Sequence, residues 1–294
     1  QVNGRIHGEI QQLRSDTGGT VSGRLSMSNP NLQQVPARNK DFGPKIRSLF
    51  IPEEGHRWGS FDYSQQEPRM TVHYAASIGE GYEGSNELVD AYKNTEADFH
   101  QTVADLVGIE RSQAKTIGLG LMYGMGKNKL ALSLGVSKDE ADKLIVKYNR
   151  KVPFVKLLSD RCKFSADEKG VIRTKKGRKC RFDLWETKDF GLHVAEKFDD
   201  AVAKYGKDNI KRAYTYKALN RLIQGSSADQ TKQAMLDCYE AGHLPMLQIH
   251  DELCFNIKDD KHANEIKKIM ENAIEFKVPS VVDKGLGDSW GDAK

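Results

Sequence analysis

Two short apolar runs that carry carboxylates constrain the fold of this chain more than any other feature. Residues 57–63 (RWGSFDY) have Asp62 near their end, and residues 246–257 (MLQIHDELCFNI) hold an acidic pair in their middle. Their composition predicts one buried strand and, further along, two strands separated by an HDE tip. Between them, apolar residues recur every three or four positions over residues 86–150, which predicts helices. A sheet interrupted by a large helical segment is an α+β layout, in which the distant acidic strands can be neighbours.

The remaining segments are predicted from their local patterns. Residues 1–50, rich in Gly, Ser, Asn and Pro, predict loops with short helical pieces. Residues 171–182 (VIRTKKGRKCRF) predict a hairpin that turns at Gly177. The cations of that hairpin indicate either a solvated surface or a contact to phosphate groups. Residues 211–241 predict one long helical stretch.

Composition places the chain among globular proteins with reduced cysteines. Its 294 residues include 45 basic and 41 acidic ones, and the net charge of +4 is too small to indicate a nucleic-acid partner without local clustering. The four cysteines show no C-x-x-C spacing, so we interpret them as intracellular thiols. No apolar run approaches the roughly 20 residues of a membrane span. Because the chain begins at Gln1 without Met, we expect a fragment or a processed product.

The carboxylates Asp62, Asp251 and Glu252 allow two interpretations. If the strand ends meet, Asp62 and Asp251 face one cavity, where bare carboxylates repel and one takes up a proton. A divalent cation removes this repulsion, and Mg²⁺ suits a site whose ligands are all oxygens. Without such a partner, an acidic pair at a hairpin tip is an ordinary solvated turn. The local sequence leaves both interpretations open.

The segment RSQAKTIGLGLMYG (111–124) carries a second candidate site. Arg111, Lys115, Leu119 and Tyr123 recur every four residues and cover about 18 Å of one helix side. Two cations followed by an apolar and an aromatic residue suit a nucleoside triphosphate lying along the helix, with its phosphates toward Arg111 and Lys115. An amphipathic helix with two exposed cations is the alternative.

Three glycines bear on that choice. Gly118 and Gly120 lie inside the predicted helix, where each costs about 1 kcal/mol relative to Ala. We expect them to allow close approach of a ligand or bending of the helix. Gly124 is expected to be the C-terminal cap.

Six segments in order resemble a known family. DYSQQEPR (62–69), RSQAKTIGLGLMYG (111–124) and QIHDEL (248–253) are similar to motifs A, B and C of family A DNA polymerases, the group of bacterial DNA polymerase I and related phage replicative enzymes. Further similarities cover SGRLSMSNPNLQQVP (22–36), DFHQTVAD (98–105) and NRLIQGSSADQTKQAM (220–235). The resemblance extends over nearly the whole chain.

The resemblance implies an α+β fold in which a polymerase palm, a small antiparallel sheet with helices, receives a large helical fingers insertion. We expect palm over residues 1–78, fingers over 79–215, and palm again over 216–294. The thumb and exonuclease domains of the family are expected to be absent from this chain. It should therefore grip DNA weakly, have low processivity and lack proofreading.

The implied activity is DNA-directed DNA synthesis, in which a primer 3′-hydroxyl attacks the α-phosphate of a dNTP. Asp62 and Asp251, with the backbone carbonyl of Tyr63, would hold two Mg²⁺ ions, for which Mn²⁺ can substitute. Glu252 would be an accessory acid beside them. Lys115 would donate a proton to the pyrophosphate leaving group.

The resemblance also assigns substrate contacts. Arg111, Lys115 and His100 would bind the triphosphate, Tyr123 and Leu119 would pack near the base and sugar, and Glu67 would be the steric gate against ribonucleotides. The DNA contacts would come from Arg24, Asn31, Gln33, Asn220, Gln224 and His250.

Several positions depart from the family pattern. Leu119 replaces the usual Phe or Tyr, which predicts altered discrimination between deoxy and dideoxy nucleotides. Gly118 replaces a common Asn, Gln66 and Pro68 replace the aliphatics of motif A, and Tyr216 falls where an Arg is common. The last change puts one DNA contact in doubt.

Two rival functions stay open on the sequence. A single-subunit RNA polymerase shares the Lys-to-Tyr spacing, although Glu67 and an HDE rather than an HDS tip argue against it. An inactive DNA-binding palm and fingers fragment is the other, and the retained Asp62, Lys115 and Asp251 argue against it. The implied partners are primer–template DNA and dNTPs, with a separate thumb or exonuclease segment or a processivity factor as further candidates, and no membrane. The implied location is the cytoplasm of a bacterial or phage-infected cell, and an organelle is also compatible.

Overall fold

A computed structural model describes residues 3–15, 18–36, 39, 41–94, 98–189, 191 and 193–293. The first elements are β1 (Glu9–Gln11), β2 (Ser26–Ser28), α1 (Gly43–Arg47), β3 (Arg57–Tyr63) and α2 (Gln66–Ala76). Next come α3 (Ser85–Asn94), α4 (Phe99–Val107), α5 (Arg111–Met122), α6 (Lys127–Leu134), α7 (Lys138–Lys151), α8 (Pro153–Lys169), β4 (Val171–Arg173), β5 (Lys179–Arg181), β6 (Trp185–Thr187), α9 (Phe198–Tyr205) and β7 (Ile210–Arg212). The last are α10 (Ala218–Glu240), β8 (Leu247–Ile249), β9 (Glu252–Ile257), α11 (Asp260–Asn272) and β10 (Val282–Gly287).

The chain packs into two compact units. The sheet unit combines Gln1–Arg69 with Gln224–Lys294, and the helical unit is Met70–Ile223. The boundaries of palm and fingers at 78/79 and 215/216 stay a prediction, because a division by packing does not assign those names. None of the helices in the described part of the chain combines the length and the apolar character needed to cross a membrane.

An antiparallel sheet forms the centre of the sheet unit. Its strand order is β10-β3-β9-β8, so the strands predicted at 57–63 and 246–257 are adjacent, as the α+β layout requires. Successive side chains of a strand point to opposite faces. Phe61 and Tyr63 point to one face, whereas Trp58, Ser60 and Asp62 point to the other.

Each face of this sheet covers its own core. On the first face, the apolar residues of β3 and β9 pack against Ala263, Ile266 and Met270 of α11. On the second face, the core consists of Met27, Leu32, Trp58, Leu247, Ile249, Cys254, Trp290 and Ala293. A central sheet buried on both sides explains why its strands are nearly continuous apolar runs, and why the polar residues that they carry stand out.

The helical unit contains the helices predicted for residues 86–150. Five helices, α3 to α7, occupy that range, and α8 follows them. β4 and β5 form the predicted hairpin, and Gly177 has φ +86°, the left-handed conformation that a tight turn favours in glycine.

Three local predictions were wrong in detail. Residues 1–50 contain the antiparallel pair β1–β2 besides loops and short helices. The stretch 211–241 begins with β7, and its long helix starts only at Ala218. The HDE tip is shorter than predicted: Glu252 is the first residue of β9 and pairs with Ile249, so His250 and Asp251 alone connect the strands.

Candidate active site

One end of the central sheet collects four carboxylates. Asp62 of β3 is the cross-strand partner of Glu252 on β9 and of Asp283 on β10. Direct cross-strand partners share a face of the sheet. Asp251 precedes Glu252 at the turn, and its carbonyl accepts a hydrogen bond from the Tyr63 amide at 3.4 Å. Strand register therefore brings together residues that lie far apart in the sequence.

Crowding changes the titration of Asp62. Its pKa is raised to about 7, first by burial and then by the negative charges of Asp251, Glu252 and Asp283. The side chain nevertheless keeps a surface open to solvent. These carboxylates are close enough to repel one another, which is the condition that a bound cation relieves.

Asp251 lies in a mixed electrostatic environment. Burial raises its pKa, the positive charge of Arg24 opposes that shift, and Glu67 adds to it. Arg24 Nη2 donates to Glu67 Oε1 at 2.8 Å. The predicted DNA contact Arg24 and the predicted steric gate Glu67 are thus paired with each other, within electrostatic reach of Asp251.

The donor chemistry of this sheet end fits Mg²⁺. Asp62 and Asp251 supply hard oxygens of the kind that this ion prefers. Tyr63 can contribute only its backbone, because its buried hydroxyl donates to the Met270 carbonyl at 2.6 Å. Within the described residues, however, no group of three or more His, Cys, Asp or Glu side chains is arranged around one ion position.

A hydrogen-bond chain supports the turn that carries Asp251. His250 has φ +55°, an uncommon conformation for a residue with a Cβ. Gln248 Nε2 donates to the His250 carbonyl at 2.6 Å, and Gln33 Nε2 donates to Gln248 Oε1 at 2.9 Å. The side-chain oxygen of Asn31 in turn accepts from the Gln33 amide at 3.1 Å. Asn31, Gln33 and His250 therefore belong to one network, although their predicted DNA contacts stay predictions.

In the helical unit, α5 presents the predicted row of residues. Arg111, Lys115 and Tyr123 are exposed and Leu119 is half-buried, whereas the opposite side of the helix is buried. Glu110 and Gln113 form a capping box at the helix start. Tyr123 is the C-terminal cap residue, and Gly124, which had been expected to be the cap, follows it with φ +68°.

Arg111 has an acidic partner that the sequence interpretation missed. Asp98 Oδ2 accepts from Arg111 Nε at 2.8 Å and from Nη2 at 2.5 Å. Asp98 also caps α4 through the amides of His100 and Gln101. Although burial opposes the shift, the hydrogen bond from Arg111 helps to lower the pKa of Asp98.

His100 is a neutral group at physiological pH. Burial lowers its pKa to about 4, and the charges of Lys115 and Arg111 act in the same direction against that of Asp98. Among the described residues, nothing forms a hydrogen bond with its buried Nδ1 atom. In the absence of a ligand, His100 therefore favours the neutral imidazole.

Comparison with known proteins decides the family. The model for DNA polymerase family A matches residues 1–292. The chain belongs to DNA polymerase family A. A DNA-directed DNA polymerase of Pseudomonas phage M6 is 40% identical over 99% of this chain and 47% of its own length. DNA polymerase I of Pseudomonas aeruginosa is 32% identical over all of this chain and 31% of its own length.

A solved family member has the same fold. The POL domain of Pol1 from M. smegmatis, in complex with DNA primer-template and dNTP, has a TM-score of 0.79 and 29% identity. The likeness covers all of this chain and 49% of that one. The α+β fold class is thereby confirmed, and the chain spans about half the length of the phage relative.

Two departures from the family A pattern have a packing explanation. Gln66, which replaces an aliphatic residue, is buried, and its Nε2 donates to Gln230 Oε1 at 3.0 Å within the sheet unit, whereas nothing among the described residues forms a hydrogen bond with its Oε1. Gly118 and Gly120 face the protein rather than a ligand. A Cβ atom there would come within 3.2 Å of the Tyr148 hydroxyl and of the Met125 sulfur, respectively.

Three site-adjacent residues had escaped the sequence interpretation, namely Asp98, Gln248 and Asp283. Gln248 carried a signal, since an amide in a buried strand needs a partner. Asp283 could be found only through the register of β10 with β3. Asn220 and Gln224 both lie on α10, the helix that contains the unit boundary.

Proposed function

We propose that this family A chain is a template-directed DNA polymerase that adds dNTPs to a primer 3′-hydroxyl and releases pyrophosphate. The observation that carries the proposal is the crowding of Asp62 by Asp251, Glu252 and Asp283 at one sheet end. Repelling carboxylates that stay open to solvent suit a centre that acts with divalent cations. The printed names of the relatives, a phage DNA polymerase and a bacterial DNA polymerase I, support the same activity.

The residues of the sheet unit would organise the reacting groups. Asp62, Asp251 and the Tyr63 carbonyl would hold two Mg²⁺ ions. When bound, these ions supply charge stabilisation to the attacking and leaving oxygens. Asp62 and Asp251 would thereby fix the positions of the primer 3′-oxygen and the α-phosphate. Arg24 would keep Glu67 in one orientation through their ion pair, so that Glu67 can exclude a 2′-hydroxyl.

The residues of α5 would hold the nucleotide. Arg111 and Lys115 would bind the triphosphate oxygens, and Tyr123 with Leu119 would pack against the base and sugar. As the bond from the 3′-oxygen to the α-phosphorus forms, the bond to the bridging oxygen of the β-phosphate breaks. Lys115 would give a proton to that leaving oxygen.

The substrates of this domain would be primer–template DNA and dNTPs. Base pairing with the template would choose the nucleotide, and Arg24, Asn31, Gln33, Asn220, Gln224 and His250 would contact the DNA. The bacterial and phage relatives favour the cytoplasm of a bacterial or phage-infected cell as the location.

Primer extension with the purified chain tests the proposal. A labelled primer on a template should be extended with dNTPs and Mg²⁺, and Asp62→Asn should lose activity by on the order of 10³-fold. Preference for NTPs, or initiation without a primer, would instead indicate an RNA polymerase. Extension by Asp62→Asn at the wild-type rate would exclude the proposed centre.

A further inference from the structure

Glu252 differs from its acidic neighbours because one of its oxygens is saturated by donors. Ser60 Oγ donates to Glu252 Oε1, and Trp290 Nε1 donates to the same atom at 3.2 Å. Cys254 Sγ lies 3.5 Å from it and is a third, weaker donor. No hydrogen bond from the described residues reaches the other oxygen, Oε2. The carboxylate is therefore held by one oxygen while the second is left available.

Trp290 is itself rigidly held. Its ring is 1% exposed and stacks on Trp58, with ring centroids 6.0 Å apart and planes 18° apart. Phe50 meets the ring edge-on at 5.5 Å, and the Arg47 guanidinium lies 4.2 Å from its centroid. The amide of Trp290 also donates to the Phe50 carbonyl at 2.9 Å. A ring fixed by so many contacts gives its N–H group a fixed direction.

The residue after Trp290 shows how closely this segment approaches the rest of the sheet unit. A Cβ atom on Gly291 would lie 2.7 Å from the Pro44 carbonyl oxygen and 2.8 Å from the Ser48 amide. Only glycine allows the two backbones to come so near. The segment from Ser289 to Ala293 is thus anchored against the region of α1 while Trp290 contacts the acidic end of the sheet.

We propose that Trp290 and Ser60 are positioning residues that orient Glu252 for the polymerase reaction. This inference rests on the proposed function, because it concerns how the accessory acid acts. Two hydrogen bonds to one charged oxygen restrict a flexible side chain to a single orientation. They also occupy Oε1, so that Glu252 would serve through Oε2 or through its charge.

Matched substitutions separate this role from packing. Trp290→Phe removes the N–H donor and keeps an aromatic face. Trp58→Phe is the control: it makes the same change in the tryptophan that stacks on Trp290, and the indole of Trp58 does not donate to Glu252. Because a hydrogen bond to a charged group is worth roughly a factor of ten or more, Trp290→Phe should lower kcat about tenfold and leave the KM for dNTP within twofold. Trp58→Phe should keep kcat, and an equal loss in both variants would overturn the proposal.

Ser60 provides a second test that leaves the aromatic stack intact. Ser60→Ala should lower kcat in the same way, and Ser60→Thr, which keeps the hydroxyl, should restore it. In a Glu252→Ala background, neither Trp290→Phe nor Ser60→Ala should have a further effect, because both act through the missing carboxylate. A tenfold loss that persists in that background would show that these residues act on something other than Glu252.

A spectroscopic measurement distinguishes failure of this inference from failure of the proposed function. The chain has three tryptophans, so ¹⁵N-tryptophan labelling gives three indole N–H signals, of which the one lost in Trp290→Phe is assigned. Glu252→Gln should shift that signal, while the signal of Trp185 in the helical unit stays in place. If the Trp290 signal moves no more than that of Trp185, the contact is not made. If the contact is seen but wild-type protein extends no primer, the proposed function fails instead.

Discussion

The two units present their candidate site residues in opposite ways. In the sheet unit, the charged groups are tied to partners: Arg24 to Glu67, and Glu252 to Ser60 and Trp290. In the helical unit, the row along α5 is largely exposed, although Arg111 is paired with Asp98. The side chains of the sheet-unit site are thus held in place by contacts within the protein, whereas those of the α5 row are accessible to a ligand.

The two sets of candidate residues depend on contacts of different range along the chain. Asp62, Glu252 and Asp283 share a face because three strands pair in one register, and a slip of one residue would turn them to the opposite face. Arg111, Lys115 and Leu119 share a side because a helix repeats every 3.6 residues. The first arrangement requires the whole unit to fold, and the second requires only one helix.

The largest effect should come from a substitution in the row along α5. Lys115→Ala removes both a triphosphate contact and the proposed proton donor, so we expect kcat to fall about 10²-fold, as for loss of a general acid. Single-turnover primer extension measures the rate of the chemical step. The rate loss of Lys115→Ala should be smaller when the leaving pyrophosphate is replaced by a better leaving group. An undiminished loss would assign Lys115 to binding alone.

A smaller effect should come from the ion pair between Asp98 and Arg111 in the helical unit. Asp98→Asn keeps an N-cap acceptor for α4 but removes the charge that competes for Arg111. Because an exposed ion pair is worth up to about 1 kcal/mol, the KM for dNTP should fall by about two- to fivefold. In an Arg111→Ala background the substitution should have no effect on KM. A raised KM would instead mean that Asp98 prepares Arg111 for the substrate.

The smallest effect should come from a histidine pair of the sheet unit, His243 and His262, which is not part of the candidate site. His262 Nε2 and His243 Nδ1 are 3.0 Å apart, and Lys258, Asp259 and Glu265 surround the pair. Burial, followed by the charges of His243 and Lys258, lowers the pKa of His262.

Because the pKa of His262 is lowered in the folded state, the free energy of unfolding should decrease as the pH falls. The folded state favours the neutral imidazole, so its contribution to stability is present above the unfolded pKa of about 6.5 and is lost as the pH falls below it. Urea unfolding at pH 7.5 and 5.5 should show a larger loss of stability for wild type than for His262→Gln. Equal losses would mean that His262 does not contribute.

Much of this fold could be predicted from the sequence because the signals are local. The apolar run 57–63, the turn at Gly177 and the helical periodicity of 86–150 depend on neighbours within a few residues. The start of α10 at Ala218 could not be predicted this way, because β7 just before it is stabilised by pairing with β6. Glu252 was misplaced at the turn for the same reason, since its assignment to β9 depends on Ile249 and Asp62.

The residues of the candidate site also differ in whether local sequence or tertiary packing identifies them. The acids and the α5 row could be predicted from residue type and spacing, helped by the family resemblance. Asp283 and Trp290 could not, because nothing nearby in the sequence marks them and only tertiary packing brings them to Asp62 and Glu252. Gly118 and Gly120 were expected to allow close approach of a ligand or bending of the helix, whereas Tyr148 and Met125 occupy the space beside them.

We propose that the sheet end at which Asp62 and Asp251 lie is a divalent-cation site. The most direct measurement is electron paramagnetic resonance of Mn²⁺ in the presence of protein, a dideoxy-terminated primer on its template, and the next dNTP. Wild type should remove free Mn²⁺ from solution, and Asp251→Asn should not, while the exposed Asp260→Asn control behaves as wild type. Equal Mn²⁺ retention by Asp251→Asn and wild type would show that Asp251 does not belong to a divalent-cation site.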